Sequence, residues 1–384
     1  MHAVVFDDLA PRRPVGAMAD PDRCPGSLRL HEAADGWLAR VRIPGGRVSS
    51  NDARVLADAA EACGSGLIDL TSRANVQLRG LGADAAPALS RTLTDAGLLP
   101  SRPHERVRNV LASPLAGRDP RALVDGALLT AALDRAICAA PELAALSGRF
   151  QFAVEDGSGL MADADADILL AAVAPGEVEL VRTGERMDVT AGPVAAVAAA
   201  RAFLARGDGA WRMPPHRVGK RGHMTPMATG SFLQADGRVA ITALVPLGRL
   251  DAAQLRGLAA LAPELRVSPW RTVTLVDIAA DAKGETVAAL RDVGLDVDPD
   301  SGWRGLTACA GVGACPRARL DVRAAARTRA AHRRPGDPAE HWSACPRRCG
   351  LPRGEVRAVT QTDTGIDADG HTVPDLPAAV EALA

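Results

Sequence analysis

Four of the seven cysteines fall in the last fifth of a 384-residue chain, Cys309 and Cys315 in "ACAGVGAC" and Cys345 and Cys349 in "ACPRRCG". Thiolates gathered this way hold metal, and their spacing narrows which. Structural zinc takes cysteine pairs about two to four residues apart, so the five residues between Cys309 and Cys315 are too many for a zinc knuckle. A disulfide framework needs an oxidising compartment. A [4Fe-4S] cluster needs four thiolates converging from two loops, and this pattern supplies them. Gly311 and Gly313 let the first loop bring its backbone N–H groups close to inorganic sulfide. Pro346 suits the first position of a helix that would set Cys345 and Cys349 one turn apart, with the helix dipole favouring thiolate. Cys24, Cys63 and Cys138 read as small buried hydrophobes.

These ligands need a frame. At roughly 150 residues per domain, the length suggests two or three domains. A formal net charge of -1 gives no global field toward nucleic acid or an anionic membrane, and with no tyrosine and 3% aromatic residues a base-stacking platform is not expected. No apolar run approaches the ~20 residues of a membrane span, and "MHAVVFDDLAPRRPVG" lacks the basic start and apolar stretch of a signal peptide. A cytoplasmic protein is expected. All but Lys220 and Lys283 of the 45 basic residues are arginine, so any anion site is built from guanidinium forks.

The chain also nearly repeats itself. In "WLARVRIPGGRVSSNDARVLADAAEACGSGLIDLTSRANVQLRGL" an alternating strand precedes the turn Pro44-Gly45-Gly46. Ser50 or Asn51 caps a periodic helix, and two strands follow. "VAITALVPLGRLDAAQLRGLAALAPELRVSPWRTVTLVDI" runs through the same order, with Pro246-Leu247-Gly248 as the turn and a helix from Asp251. Beyond it, Gly97 pairs with Gly294 and Arg108 with Arg304, which sets Ser113 opposite Cys309. The expected class is α+β, a duplicated fold with pseudo-twofold symmetry in which each ferredoxin-like unit is followed by an α/β portion. Its parts are residues 1–100, 101–204, 205–300 with the linker at their start, and 301–384 with the cysteines.

A C-x5-C loop followed by C-x3-C at the end of a duplicated chain resembles the siroheme-dependent nitrite and sulfite reductase superfamily. Three first-half motifs carry the likeness in order: "RVRIPGG", "TSRANVQLRG" and "VRNVLASPLAG". The resemblance implies that Arg42, Arg73 and Arg108 act on substrate, with Arg149 at the place of a reductase lysine. It also implies that Asn75, Gln77, Arg79, Asn109, Gln151, Arg266 and Arg271 contact a tetrapyrrole. Within the superfamily the phrasing is similar to the branch that uses oxygen to hydroxylate precorrin-3A, with lactone closure, during aerobic cobalamin synthesis. A further iron centre, mononuclear or of siroheme type, is then implied. His216, His223 and His341 are candidate ligands for it, and surface or core histidine is the competing reading of each.

One departure separates the branches. Reductases carry Lys-Phe-Lys where this chain reads "GRFQF", so neutral Gln151 replaces a cation that six-electron reduction of a small anion requires. A siroheme sulfite or nitrite reductase stays as the alternative, and a cluster-bearing carrier as a third reading. "GVGACP" has Pro316 where a dinucleotide loop needs its third glycine. Electrons are therefore expected from an external ferredoxin or flavoprotein reductase, with reduced nicotinamide as ultimate donor.

Overall fold

The computed structural model describes residues 22, 24–214, 226–352, 354–363 and 365–383, and its elements run through one order twice. The first pass is β1 (His31–Ala33), β2 (Gly36–Val41), β3 (Arg47–Ser49), α1 (Ser50–Cys63), β4 (Leu67–Leu70), β5 (Val76–Leu81) and α2 (Ala86–Asp95). Next come β6 (Val110–Leu111), α3 (Gly126–Cys138), β7 (Phe152–Glu155), β8 (Ile168–Ala174), β9 (Glu177–Leu180), β10 (Glu185–Asp188) and α4 (Gly192–Ala205). The repeat opens with β11 (Gly230–Leu233), β12 (Val239–Leu244), β13 (Arg249–Asp251), α5 (Ala252–Leu261), β14 (Glu264–Val267), β15 (Thr272–Ile278) and α6 (Lys283–Asp292). It closes with β16 (Leu306–Ala308), α7 (Val322–Ala330), β17 (Glu340–Ser343), β18 (Arg357–Gln361), β19 (Ile366–Ala368), β20 (His371–Val373) and α8 (Leu376–Ala382).

Strand order repeats as well. The sheet β1-β2-β5-β4 matches β11-β12-β15-β14, and each takes its fifth strand from the other half, β13 beside β4 and β3 beside β14. This exchange locks the halves together, because neither sheet is complete without the other's chain. Helices α1 and α5 pack on each other, and one apolar core containing Leu56, Leu78, Leu258 and Leu275 runs through both units. Truncating Leu56, which is fully buried, to alanine would cost about 2–5 kcal/mol. The remaining sheets, β6-β7-β8-β9-β10 and β16-β17-β18-β19-β20, each begin with parallel pairs and end with antiparallel ones.

The duplication reaches single dihedral angles. The Pro-Gly-Gly turn has left-handed Gly45 and Gly46, and its counterpart has Leu247 and Gly248. Ala74 and Arg271 are both left-handed in the turns before β5 and β15, and Gly80 and Asp277 both within those strands. Thr71 Oγ1 accepts the N–H groups of Arg73 and Asn75, as Ser268 Oγ accepts those of Trp270 and Thr272. Gly46 has no alternative, since a Cβ there would lie 1.8 Å from the Val267 carbonyl oxygen.

Helix α1 is capped by Ser49, one residue earlier than the sequence suggests. Ser49 ends the exchanged strand, and its hydroxyl accepts the Asp52 N–H while Asp52 accepts its own. Asp251 and Gln254 form the same reciprocal cap on α5. Among the described residues no helix is long and apolar enough to cross a membrane.

Candidate functional site

The two cysteine loops leave adjacent parallel strands of the last sheet, Cys309 directly after β16 and Cys345 two residues after β17. Cys309 is buried; its N–H donates to the Trp342 carbonyl at 2.9 Å and its Sγ accepts from the Ala344 N–H at 3.4 Å. Gly311 and Gly313, both left-handed, turn the chain so that Cys315 N–H reaches the Gly311 carbonyl at 3.0 Å. Burial, together with the charge of Cys345, Cys309 and Cys315, pushes the Cys349 thiol up, so all four sulfurs share one neighbourhood. Among the described residues no set of three His, Cys, Asp or Glu side chains could hold a single metal ion.

The second loop is not helical. Arg348 and Gly350 are both left-handed, which breaks the turn that Pro346 would have started, so no helix dipole acts on Cys345. Nearby, His341 Nδ1 bonds Thr307 Oγ1 at 2.8 Å, and its buried Nε2 has no hydrogen-bond partner. Burial first, then the Arg271 charge, pulls this imidazole down to about 4, so it is neutral near pH 7. His216 and His223 lie outside the described residues.

A cavity of 810 Å³ is lined by residues of both halves, among them Arg73, Gln151, Arg212, Trp270, Arg271 and Gly350. The Arg73 guanidinium has no hydrogen bond or ion pair among the described residues, and burial followed by repulsion from Arg212 lowers it to about 10. Arg212, which the linker conceals in the sequence, is fixed by Asp167 and Asp165 at 2.7 and 3.1 Å. Gln151 lends no hydrogen to the cavity; its amide donates to the Asn109 and Phe152 carbonyls.

Other motif residues are brought together but spent on the frame. Arg42 is buried beside Cys24, donates to the Arg106 and Pro25 carbonyls at 3.0 and 3.2 Å, and leaves Nη1 unpaired. Burial lowers it to about 10. Arg40, which opens the same motif, donates to Gln77 at 2.9 Å and reaches Cys24, so that cysteine is buried among cations rather than apolar groups. Asn75 accepts the Ile43 N–H and donates to Asn109, whose amide in turn ties three backbone carbonyls. Arg108 is held by Asp134 through both nitrogens, and Arg266 by Glu264. Arg149 is not brought to the cavity: it is exposed, its guanidinium 4.4 Å from the Trp211 ring centroid. Arg79 joins Asp35 and Asp69 and reaches across to the Ala314 carbonyl of the first cysteine loop at 3.3 Å.

The profile of the Nitrite/Sulfite reductase ferredoxin-like half domain matches residues 31–96 and 232–293, the β1 to α2 and β11 to α6 units. Two segments of the chain, one in each half, are thus similar to that half domain. The ferredoxin–nitrite reductase of Leptolyngbya laminosa is 40% identical over 91 residues, covering 23% of this chain and 18% of that protein. The precorrin-3B synthase of Sinorhizobium sp is 36% identical over 105 residues, covering 27% of this chain and 21% of that one. Each match spans about a fifth of the relative's length. The solved NirA protein of Mycobacterium tuberculosis superposes with a TM-score of 0.64 over 82% of this chain and 68% of its own, at 21% identity, and so shares the fold.

Proposed function

We propose that this nitrite/sulfite reductase-like chain is an oxidoreductase of tetrapyrroles, a precorrin-3B synthase that hydroxylates precorrin-3A with oxygen while lactone closure prepares the macrocycle for ring contraction. The observation that carries the reading is the four-thiol group set beside a large cavity whose first-half wall holds an unpaired arginine. Cys309, Cys315, Cys345 and Cys349 would hold a [4Fe-4S] cluster, which when bound supplies single electrons to chemistry beside it. A second iron centre, mononuclear or of siroheme type, is part of the same reading.

This chain's own residues bind and orient. Arg73 takes a carboxylate of the macrocycle in a bidentate fork, favoured because burial leaves the guanidinium short of partners. Arg212, locked by its two aspartates, stands on the same cavity wall as Arg73. Trp270 and Trp303 on the cavity wall offer apolar faces to the ring and exclude water.

A siroheme-dependent reductase of nitrite is the second reading, favoured by the several ferredoxin–nitrite reductases among the relatives. Against it stand the neutral, internally bonded Gln151 and the outward-turned Arg149, at the two places where the reductases carry lysines. Protein purified without oxygen and then given precorrin-3A, oxygen and a reductant should yield a product one oxygen atom heavier by mass spectrometry. Intense siroheme absorption together with nitrite turnover, and no such product, would overturn the proposal. A ferredoxin or flavoprotein reductase is the proposed electron donor.

A further inference from the structure

The two cysteine loops are touched by arginines from three distant parts of the chain. Arg79 on β5 donates to the carbonyl of Ala314, the neighbour of Cys315. Arg323 in the first turn of α7 lies against Gly311 of the same loop, where an added Cβ would meet its Cγ at 3.6 Å. Arg271 presses its guanidinium on Gly350, the neighbour of Cys349, where an added Cβ would lie 3.7 Å from Nη2.

The carboxylates in this group do not balance it. Asp69 takes Arg79 and Arg249, and Asp35 takes Arg79 again. The Arg271 guanidinium makes no hydrogen bond or ion pair among the described residues, and that of Arg323 has only the Leu247 carbonyl at 3.4 Å, with a buried Nε that has no partner. Arg79, Arg249, Arg271 and Arg323 against Asp35 and Asp69 leave an excess of two positive charges at the seam between the halves. Burial lowers Arg323 to about 10, and Arg249 adds repulsion, the signature of a cation lacking its anion.

Resting on the cluster reading above, we infer that Arg323 and Arg271 are the built-in counter-charge of the four-thiolate cluster. A [4Fe-4S] core with four thiolates is a dianion when oxidised and gains a further charge on reduction. Fixed guanidiniums in a low-dielectric seam favour the more negative, reduced form, so they raise the potential at which the cluster accepts an electron. Arg271 also lines the cavity, and it therefore stands between the cluster and whatever the cavity holds. Arg79 is a positioning residue in this scheme, since its own charge is already matched.

The test is a potentiometric titration of the iron-loaded full chain followed by electron paramagnetic resonance, alongside iron and sulfide content. Arg323→Gln and Arg271→Gln are each expected to lower the midpoint potential, and Arg323→Lys to keep it near that of the parent. If Arg323→Gln loses iron instead, recovery of full iron in Arg323→Lys supports the charge role, and loss in both variants overturns it as packing. Full loading of the glutamine variants with an unshifted potential also overturns it. A parent chain that binds neither iron nor sulfide refutes the cluster reading itself, and the inference with it.

Discussion

The turns Thr71 to Asn75 and Ser268 to Thr272 are the same piece of backbone used twice. Both place a hydroxyl under two N–H groups and both hold one non-glycine residue left-handed. What differs is which side chain the shared geometry presents. The first turn sends Arg73 into the cavity and makes its left-handed residue a small Ala74; the second puts Trp270 at the place of Arg73 and Arg271 at the strained place. A similar divergence holds where the loops leave the last sheets. β7 ends in Glu155 and is followed by Asp156, buried carboxylates that accept backbone N–H groups, whereas β17 ends in Ser343 and is followed by Ala344 and Cys345. Duplication has kept the scaffold and let each copy acquire its own chemistry.

That contrast can be broken most severely at the loops after β6 and β16. Cys309→Ser is expected to cut bound iron by more than tenfold, measured by metal analysis and visible absorption. Ser113→Ala, in the first-half loop, should leave iron content unchanged. Equal loss from both would mean that the halves are not specialised as proposed.

The two glycine turns sharpen the comparison through stability. In Gly46→Ala the new Cβ meets the fixed Val267 carbonyl at 1.8 Å, on top of a left-handed φ of 67°, so a loss of about 3 kcal/mol or more is expected. In Gly248→Ala the φ is 66°, but the nearest atom is Cδ of the Arg271 side chain at 2.4 Å, which can move. The cost there should stay at about 1–2 kcal/mol. Urea unfolding of both variants reads the difference, and Gly248→Ala should also displace Arg271.

Arg73 and Arg149 separate a cavity cation from a surface one. Arg73→Gln should weaken binding of uroporphyrin, a macrocycle with many carboxylates, roughly tenfold, the ~1.4 kcal/mol of one charge-assisted contact. Arg149→Gln should leave binding unchanged, because its guanidinium is exposed and stacked on Trp211. Fluorescence titration measures both.

Much of this was legible in the chain and some was not. The duplicated order, the α+β class and the turns at Pro44 and Pro246 follow from periodicity and local turn chemistry, which act over a few residues. The exchange of β3 and β13 did not show, because "RVS" and "RLD" are too short to carry a pattern and their partners are about 200 residues away. The motif arginines were the hardest to sort. A guanidinium that faces a ligand and one locked on an aspartate look alike in sequence, and only the positions of Asp134, Glu264 and Asp69 tell Arg108, Arg266 and Arg79 from Arg73. Arg212 and Arg323 carry no motif, and only their neighbours in space mark them.

The finest contrast is between a half-buried aspartate, Asp69, and a buried one, Asp156, and pH reads it. Asp69 is held below the usual carboxylate range despite burial, because Arg249 and Arg79 favour its charge. Its contribution is present above its unfolded value, about 4, and is lost as pH falls through the lowered folded value. Asp156 goes the other way: burial, with Asp119 nearby, raises it, and its Oδ2 has no partner. The folded state then holds that proton more tightly than the unfolded state, so stability declines as pH rises from about 4 through the raised value. Asp69→Asn should therefore lose most stability near pH 7 and least in acid. Asp156→Asn should be neutral in acid and gain stability near pH 7. Urea midpoints at several pH values test both slopes. A matching pH trend in the two variants would show that Arg249 and Arg79 do not distinguish the two aspartates, and the difference between them would have to be sought elsewhere.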